Sequence, residues 1–113
     1  MASAMPDSKN GTTVRDRSKR VLVRFTGAPS LTPEMYDETV KRLENSAAGQ
    51  WPPDGLVSHV AFTSGGRFRV SEIWDSREQV DAFGERLMPV LTDTGIELDG
   101  QPEMIEVHNI VQR

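Results

Sequence analysis

Apolar side chains first alternate in "RVLVRFTG", where Val21, Val23 and Phe25 occupy every second position and Gly27 breaks the run. A two-residue period of β-branched and aromatic members predicts a strand with one buried face. The period changes after Thr32. In "LTPEMYDETVKRLENSAAG" the apolar positions are Tyr36, Val40, Leu43 and Ala47, spaced four, three and four apart along one face of a helix. Pro33 suits the first helical position, where its missing N–H costs nothing, and Gly49 is the expected stop. The paired prolines of "QWPPDG" fit neither a helix interior nor a central strand, so this segment is a connector.

"GLVSHVAFTSGGRFRVSEIW" reads as a hairpin, two β-rich runs around Gly65 and Gly66, which accept positive φ at no steric cost. Ser76 then opens a second helix, with Gln79 three residues on completing a capping box. Val80, Phe83, Leu87 and Leu91 form its apolar stripe, Pro89 is expected to bend it, and Gly95 to end it. "EMIEVHNIV" closes the chain as a fourth strand. The order β-α-β-β-α-β predicts an α+β, ferredoxin-like domain: a four-stranded antiparallel sheet with two helices on one face. By alternation the other face carries Val60, Phe62 and Ile73. An apolar sheet face needs a cover, and a homodimer packed face to face is the economical one.

A two-residue hairpin loop also sets the register. His59 is then expected opposite Glu72, and Val57 opposite Trp74. Val57, His59, Ala61, Phe68, Val70, Glu72 and Trp74 share the face turned to the helices. That set is an apolar lining holding one imidazole and one carboxylate, the usual make-up of a small-molecule pocket. A His beside a Glu can act as a general base with an orienting partner, so His59 and Glu72 are the candidate catalytic pair. The same pair also reads as a satisfied polar pair at a sheet margin. Trp74, Val57 and Val70 are the candidate walls of a substrate site. Tyr36 could reach it from the first helix, and His108 from the last strand.

Composition narrows the classes. The chain of 113 residues has no cysteine, which excludes disulfides, thiolate metal sites and cysteine nucleophiles. Two histidines and scattered carboxylates show no close metal-ligand spacing, so no metal is expected. There is no Gly-rich dinucleotide fingerprint and no Ser-His-Asp pattern. No apolar run approaches the roughly 20 residues of a membrane helix, and the N-terminus lacks a secretory apolar core; a cytoplasmic protein is expected. The net charge of −4 is uneven: residues 1–20 hold five basic and two acidic side chains, which leaves the remainder at −7. An acidic body repels phosphate backbones, which argues against nucleic-acid binding. Residues 1–18 are polar and cannot form a buried stripe, so a disordered tail is expected there and a single folded domain over residues 19–113.

These residues together resemble a known family. "LVRFTG", "LTPEMYDETVKRLE", the stretch from Gly55 to Ile96 and "EVHNIV" are similar to the antibiotic biosynthesis monooxygenase-like proteins of the dimeric α+β barrel superfamily. The clearest piece is Trp74 at a strand end followed by Ser76, Arg77, Glu78, Phe83, Leu87, Met88 and Pro89. The resemblance implies a homodimer whose two sheets form a barrel, each subunit holding a pocket between sheet and helices. It implies a cofactor-independent monooxygenase-like enzyme acting on an aromatic or polyketide-type molecule. A cyclase or isomerase activity, or non-catalytic dimeric binding of a small hydrophobic ligand, are the alternatives. Relatives that degrade haem use an Asn on the first strand and a His on the second helix, and neither stands here.

Overall fold

The computed structural model describes residues 20–46 and 49–113, so the expected tail lies outside the described residues. The elements follow the predicted order: β1 (Val21–Thr26), α1 (Pro33–Glu44), β2 (Leu56–Ser64), β3 (Arg67–Trp74), α2 (Arg77–Thr94) and β4 (Glu103–Glu106). All pairings are antiparallel, in the order β2-β3-β1-β4, which gives the ferredoxin-like α+β fold. Val23, Leu43, Trp74 and Phe83 form the buried core between the sheet and the helices. Among the described residues no helix is long and apolar enough to cross a membrane.

Local chemistry explains the boundaries. Thr32 caps α1 by accepting from the Met35 N–H, with Pro33 in the first turn. The helix ends at Glu44, earlier than the expected Gly49. Asn45 takes over there, its side-chain amide donating to the Lys41 carbonyl at 2.9 Å, a C-terminal satisfaction that the apolar period does not encode. Ala47, the last residue of the expected stripe, lies outside the described residues. At α2, the Ser76 hydroxyl accepts from the Gln79 N–H and donates to the Gln79 side-chain oxygen. The Gln79 amide then reaches Asp54 rather than the Ser76 backbone, so the capping box is only half formed. The helix runs through Pro89 to Thr94, and Gly95 ends it at φ 78°, with the Ile96 N–H bonding back to the Leu91 carbonyl.

Gly65 and Gly66 both have positive φ, 60° and 76°, and make the two-residue turn that pairs Ser64 with Arg67. The expected register holds from there to Ser58, which faces Ile73. It then slips. Leu56, not Val57, lies opposite Trp74, because a bulge at Val57 inserts one residue into β2. The bulge lets Leu56 pack against the core. The last strand is also shorter than expected. Among the described residues β4 pairs with β1 along Val21–Arg24, and beyond Glu106 the backbone tie between them is the Val107 N–H to the Arg20 carbonyl. A strand ends where its partner ends.

Candidate active site

Glu72 occupies the middle of β3, paired with Val23 of β1 on one side and His59 of β2 on the other. It is 6% exposed, so its oxygens need hydrogen bonds in place of water. Both oxygens are so served. Trp74, two residues along the same face, donates its indole N–H to Oε1 at 3.0 Å, and His59 Nδ1 lies 2.7 Å from Oε2. A carboxylate that accepts both bonds fixes the imidazole proton on Nδ1, which leaves Nε2 as an acceptor. The Tyr36 hydroxyl, reaching down from the first turn of α1, meets that nitrogen at 2.6 Å. Four side chains from three elements thus form one chain, Tyr36–His59–Glu72–Trp74.

Aromatic rings wall in the chain. Tyr36 stacks on His59 with centroids 5.9 Å apart and tilts against Phe68 at 5.1 Å. Trp51 meets His59 edge-on at 6.1 Å and also contacts Phe83. The Tyr36 phenol is held above its ordinary pKa, first by burial and then by the negative charges of Glu72 and Asp37. It therefore stays protonated through the neutral range, as a donor to Nε2 requires.

Two spaces border this chain, both between sheet and helices. The smaller, about 80 Å³, is lined by His59, Glu72, Trp51, Phe68 and Val70 with aliphatic side chains of α1 and α2. The larger is a cleft of about 590 Å³ between α2 and the β1–β4 side, lined by Trp74, Val23, Met88 and Met104 among others. Glu72, Phe83, Leu87 and Leu91 line both, so the two spaces meet along a common wall.

The sequence-predicted residues therefore divide. Tyr36, His59, Glu72 and Trp74 come together as one hydrogen-bonded unit, and Val70 lines the smaller space. Val57 does not join them: it sits in the bulge and lines neither cavity. His108 also stands apart. It is exposed, lies past the end of β4, and borders neither cavity. Trp51 was missed, because a Trp in a proline-rich connector has no period to place it. Its aromatic ring beside two prolines was the one available signal.

A scan against protein-family models finds no match, and neither does a comparison with curated protein sequences. Solved structures do match. SnoaB, a cofactor-independent oxygenase from Streptomyces nogalater, superposes with a TM-score of 0.55 at 12% identity, covering 84% of this chain and 99% of that one. The fold is that of SnoaB. A Nitrosomonas europaea protein of unknown function matches at TM-score 0.56 and 16% identity, over 87% of this chain and 98% of that chain. A Bacteroides thetaiotaomicron protein described as a possible oxidoreductase matches at 0.54 and 12% identity, over 80% and 99%. The similarity to these solved structures holds at the level of fold. At such identities the likeness speaks for the backbone alone.

Proposed function

We propose that this protein is a cofactor-independent, monooxygenase-like enzyme acting on a phenolic or enolic aromatic molecule of polyketide type. The observation that carries this reading is the Tyr36–His59–Glu72–Trp74 chain beside an apolar cleft. The cleft volume of about 590 Å³ lies in the range that holds a drug-sized ligand. The aromatic body occupies the cleft against Trp74, and its hydroxyl-bearing edge crosses the wall at Phe83 and Glu72 toward His59. Nε2 is the imidazole nitrogen left without a proton, so it takes the substrate proton as the Tyr36 hydroxyl yields. The Glu72 carboxylate lies against the new imidazolium charge and opposes it, while Trp74 holds its other oxygen in place.

The resulting carbanion gives an electron to dioxygen, and the two radicals combine as a peroxide. The peroxide loses water, with the proton returned from His59. A methylene becomes a carbonyl, one oxygen atom entering the product and the other leaving as water. The substrate supplies every electron, so no cofactor is needed. A fold shared with a cofactor-independent oxygenase supports the reading.

The test uses an anthrone-type tricyclic phenol and an oxygen electrode. One dioxygen should be consumed per carbonyl formed, and His59→Ala should lower kcat by about 10²–10⁴-fold. Binding without oxygen uptake would leave a ligand-binding site and overturn the enzyme reading. We also propose that the protein works as a homodimer joined through the helix-free sheet face, where Val60 and Phe62 are exposed.

A further inference from the structure

We infer that the smaller cavity beside His59 is a dry site for dioxygen, distinct from the space that takes the aromatic body. The inference rests on the oxygenase reading for its choice of gas, and on the cavity itself for everything else. Size comes first. About 80 Å³ is too little for an aromatic ring, since a benzene-binding protein cavity measures about 150 Å³. Leu31, Val40 and Leu43 line this space, and none of them borders the larger one.

Polarity comes second. A buried water needs two to four polar partners. The polar side chains of His59, Glu72 and Thr39 line this cavity, and each is already engaged. Both imidazole nitrogens and both Glu72 oxygens are hydrogen-bonded within the Tyr36–His59–Glu72–Trp74 chain. The Thr39 hydroxyl donates to the Met35 carbonyl at 2.9 Å and lies 2.9 Å from the Thr94 hydroxyl. Each polar side chain lining the space already has a partner and the rest of the lining is apolar, so the space suits a small apolar guest. Its contact with His59 puts that guest beside the group that would create the carbanion.

Methyl NMR under dioxygen pressure tests this on the whole chain without any turnover, because the gas is paramagnetic. The methyls of Leu31, Val40 and Leu43 should relax several-fold faster than that of Val90, which packs on the core outside both cavities. Val40→Phe, which fills the cavity from α1, should abolish the difference. Val40→Leu should reduce it and serves if the larger side chain prevents folding. Equal relaxation at all four positions in the native protein would overturn the site. In turnover, Val40→Phe should raise KM for dioxygen about tenfold and leave KM for the aromatic unchanged. Fast relaxation with an unchanged oxygen KM would overturn the cavity's part in the reaction. If no aromatic is oxidised at all, the oxygenase reading fails, and the relaxation data alone decide the gas site.

Discussion

Tyr36 is the only tyrosine in the chain, so its ionisation can be followed without ambiguity by absorbance. Burial, Glu72 and Asp37 all raise its pKa, which predicts a tyrosinate midpoint above the ordinary value of 10 in the native protein and near it in urea. Glu72→Gln removes one of these charges and should bring the native midpoint down. An unmoved midpoint would show that the charge does not reach the phenol. The linkage to stability has a definite sign. A folded-state pKa raised above the unfolded one contributes stability that is present in full below about pH 10 and is lost as pH rises through the native midpoint. Unfolding free energy should therefore decline on the alkaline side, and the decline should be weaker in Tyr36→Phe. Trp74→Ala should cost about 3–5 kcal/mol, because the ring is fully buried and its removal leaves both a cavity and a Glu72 oxygen without its donor. His59→Ala should cost much less in melting temperature while removing the base. Equal losses for the two variants would make His59 a structural residue. The His59–Glu72 pair was legible in the sequence, since a two-residue turn at Gly65 and Gly66 counts back to it directly. The Tyr36 and Trp74 bonds were not. They depend on the spacing between helix and sheet layers and on rotamers, which no sequence period carries.

The elements show the same division between local and non-local causes. Strand and helix starts were readable because the residues that make them are adjacent: Thr32 before Pro33, Ser76 before Gln79, glycine at 65 and 66. Where an element ended through a distant partner, the period misled. The end of β4 follows from the start of β1, and the bulge at Val57 follows from Leu56 packing on the core beside Trp74. Ser76 matters beyond α2, because its helix roofs both cavities and Phe83 forms part of their common wall. Ser76→Ala leaves the Gln79 N–H without its acceptor and should cost about 1 kcal/mol, or roughly 4–8 °C in Tm. Ser76→Asp keeps a capping oxygen and should restore most of it. No recovery in the aspartate variant would mean that the cap is not the cause.

At the scale of the molecule, the decisive feature is the face of the sheet that no helix among the described residues covers. Ile105, Leu22 and Ile73 are cross-strand neighbours along one row of that face, and Val60 and Phe62 extend the apolar surface on β2. Val60 is 55% exposed and Phe62 38%, high values for large apolar side chains, and both sit on β2 at the edge of the sheet. Polar groups flank them: Arg24 pairs with Glu103 at 2.8 Å, and Arg69 bonds to the Thr26 hydroxyl and the Ser64 carbonyl. The face thus interleaves an apolar row with polar pairs and carries Val60 and Phe62 at its β2 edge; stable interfaces bury about 800 Å² on each partner. A second copy offers the same face, related by a two-fold axis. Light scattering at micromolar concentration should then give about twice the chain mass of 12.6 kDa. Phe62→Glu would place a charge on each side of the axis and should shift the mass to that of one chain. The core between sheet and helices does not involve Phe62, so the monomeric variant should keep its helical circular dichroism and its tyrosinate midpoint. A native protein that already sediments as one chain would overturn the dimer, and the apolar face would then need a different cover.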